Sequence, residues 1–223
     1  MTFLIEIPCQ SQIAGLKRLT CVRCLRAQSG CICEWIRPTT TATEVLILQH
    51  PMEVKHAKGS ARLLSLSLAN SRIEVGECFA SEKLQALLTS PWPTNATQRQ
   101  RKPILLYPAL PEELAHGPNA LPALATELCA DPEKLRLVVI DASWRKSRKM
   151  LYLNPLLQQL PRLQLKEIPA SKYFIRKAQR RDQLSTFEAT CAALTQLEGA
   201  NVDFDALMAG FESFVAQQMA HRP

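Results

Sequence analysis

Short apolar runs alternate with helix-like segments along the chain, and this alternation constrains the fold more than any other feature. The predicted strands are Glu44–His50, Arg72–Phe79, Pro103–Tyr107, Leu135–Asp141 and Leu163–Ile168. Leu135–Asp141 is interpreted as a fully apolar, buried strand. Strands that are apolar at consecutive positions are typical of a parallel sheet covered on both faces. The sequence therefore predicts an α/β fold with a mainly parallel sheet.

Helical segments separate and follow these strands. The predicted helices are Ala57–Ala69, Ser81–Leu88, Leu121–Ala130, Ser143–Leu153, Ser185–Leu197 and Asp203–Ala220. Ser185 and Glu188 have the spacing of a capping box at a helix start. A short linker at Pro38–Thr41 predicts an N-terminal segment, 1–42, and an α/β domain, 43–223. The sequence contains neither a glycine-rich dinucleotide-binding loop nor a P-loop. It therefore does not indicate a dinucleotide or a nucleoside triphosphate as ligand.

Four cysteines lie close together with the spacing C-x2-C-x6-C-x-C. In an intracellular chain such spacing indicates a metal site more often than disulfides. Four thiolates suit a closed, structural Zn²⁺ site, although an iron–sulfur cluster also uses four cysteines. Gly30 is the expected position of a tight turn between the two pairs. The predicted metal ligands are Cys21, Cys24, Cys31 and Cys33.

The net charge of +7 is concentrated in one part of the chain. The stretch from Arg145 to Arg181 holds eleven Lys or Arg residues and one acid, Glu167. Such an excess favours a polyanionic partner, with nucleic acid first, although a solvated basic surface is the plain alternative. No run of 18 apolar residues and no signal peptide is recognisable, so we expect a cytoplasmic protein with no membrane partner.

Polar residues follow several predicted strands, where parallel α/β sheets bind their ligands. The first strand leads into His50-Pro51-Met52-Glu53, the third into Tyr107-Pro108, and the fourth into Asp141-Ala142-Ser143-Trp144. Asp141 could serve only as a helix cap. Alternatively, Trp144 stands directly before four cations. Its ring could stack on a base while the cations bind phosphates.

Taken in order, these motifs resemble the DTW-domain family, the tRNA-uridine aminocarboxypropyltransferases. The resemblance rests on the cysteine cluster, the HPxE strand end with the helix after it, a D-x-[ST]-W-x-x-[SA]-R-K-M block and an SKYxxR…LSTxEA block. It runs from Cys21 to Glu198, which is most of the chain. The Asp-Thr-Trp of the family is Asp-Ala-Ser-Trp here, which keeps a hydroxyl and is also similar to ribosomal-RNA aminocarboxypropyltransferases. The Asn-Thr pair usual after HPxE is Gly59-Ser60.

The resemblance implies a fold related to the knotted SPOUT methyltransferases and S-adenosylmethionine as the donor. It implies transfer of the 3-amino-3-carboxypropyl group to N3 of a tRNA uridine, in the variable loop by similarity to bacterial relatives, with release of methylthioadenosine. Two alternatives stay open. One is an RNA methyltransferase with the same donor, and the other is a zinc-bearing RNA-binding protein without catalysis.

The resemblance and the strand-end positions together suggest residue roles. Asp141 is the expected general base, with Glu53 and Glu188 as weaker candidates, and Ser143 and Trp144 complete the catalytic set. The expected donor-binding residues are His50, Glu53, Leu106, Tyr107, Pro108, Ser185, Thr186 and Glu188. The expected RNA-binding residues are Arg145, Arg148, Lys149, Lys172, Tyr173 and Arg176.

Overall fold

A parallel sheet forms the centre of the molecule. The computed structural model describes residues 19–92, 100–108, 131–166, 184–199 and 202–220. Its strands are β1 (Glu44–Gln49), β2 (Ser71–Val75), β3 (Lys102–Leu106), β4 (Leu135–Asp141) and β5 (Arg162–Leu163). They lie in the order β2-β1-β4-β3-β5, and every neighbouring pair is parallel. The predicted α/β class is confirmed, while the SPOUT relation and the knot stay predictions.

Two strands end four or more residues earlier than predicted, while β1 and β3 each end one residue earlier. β2 stops at Val75 rather than Phe79, and β5 stops at Leu163, while residues 167–168 of the predicted fifth strand lie outside the described residues. Gly76 explains the first difference, because an added Cβ there would lie 2.6 Å from the Phe79 ring. The chain therefore turns at Gly76 and folds Phe79 back over it.

The described helices largely match the predicted ones. They are α1 (Ala61–Ser67), α2 (Ser81–Thr89), α3 (Trp144–Leu153), α4 (Pro155–Gln158), α5 (Thr186–Glu198) and α6 (Asp205–Ala220). α1 starts at Ala61 rather than Ala57, because the Gly59 N–H bonds the His56 carbonyl in a turn at 2.8 Å. Pro155 starts α4 instead of only ending α3, as proline's fixed φ permits at a first helical position. The predicted helix 121–130 lies outside the described residues. No described helix has both the length and the hydropathy to cross a bilayer.

Both faces of the sheet are buried, as continuous apolar strands require. On one face, Val45 and Val139 share a core with α1, α5 and α6. On the other face, Leu46 and Val138 share a second core with α2 and α3. Successive side chains of a strand point to opposite faces, so each central strand contributes to both cores.

Arg136 corrects the interpretation of β4 as fully apolar. Its side chain is completely buried, and its Nε donates to the Glu44 carboxylate at 2.7 Å. Arg136 also donates to the Leu87 and Ser90 carbonyls and lies 4.5 Å from the centroid of the Trp92 ring. Burial lowers the pKa of Arg136, and the Glu44 carboxylate opposes that shift. A buried ion pair therefore joins Glu44, the first residue of β1, to Arg136, the second residue of β4.

The cysteine segment packs directly on α6. Cys24 and Ile32 are buried in the same core as Phe211 and Phe214. Gln217 accepts a bond from the Trp35 indole at 3.2 Å and donates to the Cys31 carbonyl at 3.0 Å. A Cβ added to Gly210 would lie 2.5 Å from the Trp35 carbonyl oxygen, so α6 can approach this closely only with glycine there. The division at residue 42 stays a prediction.

Replacing Glu44 by Gln should lower the free energy of unfolding by about 3–5 kcal/mol, because it leaves the Arg136 guanidinium buried without a counter-charge. Urea unfolding measures the loss. Glu74→Gln is the matched control. Glu44 pairs with Arg101 as well as with Arg136, both of them buried, whereas the two cations that pair with Glu74, Arg72 and Lys83, are exposed. Glu74→Gln should cost about 0–1 kcal/mol. Equal losses for the two variants would contradict the role given to the buried pair.

Candidate active site and cysteine cluster

Asp141, the last residue of β4, joins three elements at the carboxyl edge of the sheet. It is 5% exposed, and its Oδ2 accepts a hydrogen bond from the Gln49 amide of β1 at 2.8 Å. Its Oδ1 accepts one from the Thr186 hydroxyl of α5 at 2.7 Å. Neither bond caps a helix, and Ser143 occupies the N-cap position of α3. The interpretation of Asp141 as a simple cap is therefore wrong.

The start of α5 is fixed by the predicted capping box. The Ser185 hydroxyl accepts from the Glu188 N–H at 3.2 Å, and the Glu188 carboxylate accepts from the Ser185 N–H at 2.8 Å. Both side chains are buried. The capping box leaves the Thr186 hydroxyl free to point at Asp141.

Burial, with a smaller contribution from the Glu188 charge, raises the pKa of Cys191 to about 12, so that thiol is an inert core residue.

His50, directly after β1, has both ring nitrogens engaged. Its Nδ1 accepts from the Met52 N–H at 3.1 Å, so Nε2 carries the hydrogen and donates to Glu77 at 3.1 Å. The other Glu77 oxygen accepts from Lys149 of α3 at 3.0 Å. Lys149 first, and His50 second, lower the pKa of the Glu77 carboxyl. These contacts fix the turn after β1 against the loop after β2.

Glu53 forms a second link between that turn and α3. It is 7% exposed, and Lys146 donates to its Oε1 at 3.1 Å. Lys146 and Lys149 are three residues apart on α3 and therefore lie on the same face of the helix. That face lies across the ends of β1 and β2.

The other side of α3 contacts the end of β3 through aromatic rings. The Trp144 ring stacks on the Tyr107 ring with centroids 5.3 Å apart and planes 10° apart. Tyr107 is buried and its hydroxyl lies 3.0 Å from the Ser147 hydroxyl, whereas Trp144 is 54% exposed. Arg162 lies 5.2 Å from the Tyr107 centroid and donates to the Pro108 carbonyl. Trp144 therefore presents a large aromatic surface to solvent from a rigid base.

The remaining predicted site residues occupy different positions. Leu106 and Ser143 are partly buried, and Pro108, Arg145 and Arg148 are exposed. Lys149, predicted to bind RNA, is bonded to Glu77 but is still 58% exposed. The other predicted RNA-binding residues, Lys172, Tyr173 and Arg176, lie outside the described residues. The structure thus brings His50, Glu53, Tyr107, Asp141, Trp144 and Thr186 to one edge of the sheet.

The four predicted cysteine ligands converge. Their sulfur atoms all lie within 4.8 Å of one another, with Cys21 and Cys33 at 3.6 Å and Cys24 and Cys31 at 3.8 Å. Tetrahedral coordination with metal–sulfur bonds of about 2.3 Å separates the sulfurs by about 3.8 Å. The backbone of Cys24, followed by that of Arg23, lowers the pKa of Cys21 to about 6. This group of thiols could hold one metal ion.

A second turn carries the first two cysteines and closes at Leu25, the residue after Cys24. Leu25 has φ of 61°, a left-handed conformation that is unfavourable for a leucine, and its N–H bonds the Cys21 carbonyl at 2.8 Å. Gly30 ends a short 3₁₀ turn, Gln28–Gly30, between the two cysteine pairs, so the tight turn predicted there is confirmed, and it forms without positive φ. The requirement to direct Cys21 and Cys24 at one point explains the strain at Leu25.

A family comparison identifies the arrangement. The model of the DTW domain matches residues 18–219. The chain belongs to the DTW domain family. The match includes the cysteine cluster, the whole sheet and every residue of the edge described above, so the predicted family is confirmed.

Curated relatives of this DTW domain have related names. A Mus musculus protein named tRNA-uridine aminocarboxypropyltransferase 2 is 27% identical over 209 residues, which cover 92% of this chain and 65% of that protein. A Drosophila melanogaster protein of the same name is 28% identical, with 82% and 68% covered. An Arabidopsis thaliana protein named tRNA-uridine aminocarboxypropyltransferase A is 30% identical, with 63% and 53% covered. The chain thus spans about two thirds of the mouse relative's length, and no solved structure matches it.

Sequence reasoning missed several residues that organise this DTW site. They are Gln49, Glu77, Ser147, Asn154 and Arg162. Asn154 is buried, donates to the carbonyls of Met150 and Glu77, and accepts from the Phe79 N–H. Gln49 could have been recognised as a site residue, because it is a polar residue at the last position of an apolar strand. Glu77 and Asn154 gave no such signal, because the bonds that join Glu77 to Lys149 and Asn154 to the loop after β2 span 72 to 77 residues of the chain.

Thr186→Val should destabilise the fold by about 1.5–3 kcal/mol, because it removes a hydrogen bond to a buried carboxylate. Thr186→Ser keeps the hydroxyl and should cost much less. Urea unfolding of both variants tests the link between β4 and α5. A loss in Thr186→Ser with little or none in Thr186→Val would mean that the threonine methyl group, and not the bond to Asp141, is responsible.

Proposed function

We propose that this chain transfers the 3-amino-3-carboxypropyl group of S-adenosylmethionine to N3 of a tRNA uridine in the variable loop. The observation that carries the proposal is the alignment of 92% of the chain with a relative named as a tRNA-uridine aminocarboxypropyltransferase. The edge described above supports it, because it combines a buried carboxylate at the end of β4 with an exposed aromatic ring and several cations on α3.

The reaction forms one bond and breaks one. Uridine N3 loses its proton to a base and bonds to the Cγ of the donor's side chain. The bond between Cγ and the sulfonium sulfur breaks, and the electron pair leaves with sulfur as neutral methylthioadenosine. Because the sulfonium is already a good leaving group, alignment of the reactants supplies much of the acceleration.

Asp141 is the proposed general base. Gln49 and Thr186 each donate to one of its oxygens, and so hold the carboxylate in a fixed orientation at the strand end. The weaker candidates already have partners: Glu53 accepts from Lys146, and Glu188 completes the capping box of α5. Each carboxylate oxygen of Asp141 has a further lone pair for a proton from uridine.

The rest of the edge would bind the two substrates. The exposed Trp144 ring offers a stacking surface for a nucleobase or the donor's adenine, with Ser143 as a hydrogen-bonding neighbour. Leu106, Tyr107 and Pro108 would border the adenosine, while His50 and the start of α5, Ser185–Glu188, would line the site through their fixed turns. Arg145, Arg148 and Lys149, with Lys172, Tyr173 and Arg176, would hold the tRNA or the donor's carboxylate.

The proposed metal is one structural Zn²⁺. The sulfur distances of 3.6 and 3.8 Å fit ligands of a single tetrahedral ion. In a four-iron cluster each thiolate binds a different iron, which requires wider spacing. Four thiolates leave no open position, so the metal would stabilise the turn that packs on α6 and take no part in transfer.

By-product analysis separates the proposal from its alternatives. The purified chain is incubated with S-adenosylmethionine and tRNA, and the nucleosides released are identified by mass. The proposal predicts methylthioadenosine. S-adenosylhomocysteine would indicate a methyltransferase, and neither product would indicate a non-catalytic RNA-binding protein.

Asp141→Asn should slow single-turnover transfer at saturating donor by about 10²–10⁴-fold, the usual contribution of proton abstraction. Asn keeps most of the shape and can still accept one hydrogen bond, so a thermal melt and donor affinity serve as internal checks. Glu53→Gln is the control and should change the rate far less. An unchanged rate for Asp141→Asn would remove Asp141 as the base, whereas weakened donor binding would indicate contact with the donor's ammonium.

Cys24→Ser should reduce zinc content and thermal stability together, because binding of a structural metal is coupled to folding. Cys78→Ser is the control, since Cys78 is an exposed free thiol outside the cluster. Metal analysis of the purified proteins and thermal melts provide the measurements. Wild-type protein that contains no metal would contradict the assignment.

A further inference from the structure

Two segments beside the candidate active site expose an unusual group of apolar side chains. The large apolar residues that are at least half exposed there are Leu19, Val22, Leu25, Met52 and Val54. Val22 is the most exposed of the five, at 92%. Single exposed apolar residues need no explanation, but a group of them marks an interaction site. The exposed side chains of residues 19–26 and 52–62 are called the cysteine-turn face below.

Hydrogen bonds in both directions join the two segments. The Arg26 guanidinium donates to the carbonyls of Ala57 and Gly59, both at 2.6 Å. The Arg62 guanidinium donates in return to the Arg23 carbonyl at 2.6 Å. These bonds fix the cysteine turn against the loop that follows β1.

The face continues to the edge of the sheet that carries Asp141. The His56 N–H bonds the Glu53 carbonyl at 3.1 Å, and the Glu53 side chain accepts from Lys146 of α3. The cysteine-turn face therefore borders the turn after β1, which the Glu53–Lys146 pair joins to α3 beside the proposed transfer site.

The charge of the face indicates what it binds. It contains five Lys or Arg residues and one acid, Glu53, which is paired with Lys146. Four thiolates and one Zn²⁺ would add a charge of −2, so the face stays positive. Arg23 and Lys55 are exposed, and neither side chain has a hydrogen bond or ion pair to another described residue. Two cations are thus available to an anionic partner.

We infer that the cysteine-turn face binds unpaired nucleotides of the tRNA next to the modified uridine, an inference that rests on the proposed function. Cations bind phosphates, while aliphatic side chains such as Val22 pack against bases. Bases are accessible in this way in loops and not within an A-form duplex, whose deep major groove hides them. The combination of exposed apolar groups and cations therefore favours a looped RNA over a duplex.

The charge test compares two double variants with the same loss of charge. Arg23→Ala with Lys55→Ala removes the two available cations of the face. Lys102→Ala with Lys134→Ala removes two exposed cations at the opposite, amino edge of the sheet. tRNA affinity is measured across a range of salt concentrations, with metal content and thermal melts as checks on folding. The first pair should lower the slope of log affinity against log salt by about 1–2, and the second should leave it unchanged.

The apolar contact has its own variant. Val22→Ser should weaken tRNA binding several-fold without changing the salt slope, because it removes no charge. Its affinity for a fully paired RNA duplex of similar length should equal that of the wild type. An equal loss for duplex and tRNA would overturn the preference for unpaired nucleotides.

The outcomes also separate this inference from the proposed function. If the Arg23/Lys55 variant binds tRNA as well as the Lys102/Lys134 control does, the cysteine-turn face does not bind RNA. This conclusion holds whether or not methylthioadenosine is made. A face that binds an acidic protein instead of RNA would give this result. If the wild type binds tRNA through the face but releases no methylthioadenosine, the face stands and the proposed transfer fails.

Discussion

Burial of both faces of the parallel sheet is the constraint on which the rest of the structure depends. Because the strands are parallel, β1, β3 and β4 all end at one edge. Because both faces are covered, polar residues of these strands are accessible mainly at the ends. The buried Arg136–Glu44 pair holds the amino ends of β1 and β4 together, and the hydrogen bond from Gln49 to Asp141 joins their carboxyl ends. The same architecture thus provides both the core and a rigid base for the site.

Helix α3 converts that edge into a connected surface. Trp144 contacts the residue after β3, Lys146 the turn after β1, and Lys149 the loop after β2. Asn154, just beyond the helix, bonds that same loop. The basic residues of α3 therefore have two roles. Lys146 and Lys149 fix neighbouring loops, while Arg145 and Arg148 face solvent. A count of charges along the sequence cannot distinguish these roles.

The sequence was sufficient to predict elements whose signal is local. These include the apolar strands, the Ser185–Glu188 capping box, the cluster of four cysteines and the polar residues at strand ends. It was insufficient where a partner is distant in the chain, as for Arg136 with Glu44, which needs the register of β1 against β4. Glu77 was missed because the predicted second strand ran to Phe79. Glu77, which lies in the loop after β2, was therefore assigned to the strand. The strained backbone of Leu25 was missed because the convergence of the cysteines, and not local preference, imposes it.

We propose that transfer takes place where β1, β3 and β4 end. A crystal structure with S-adenosylmethionine bound tests it most directly. We expect the donor to lie beside Tyr107 and Trp144, with its Cγ facing an open space next to the Asp141 carboxylate. A donor bound at the amino edge, or on the far side of α3 from Asp141, would show that transfer takes place elsewhere.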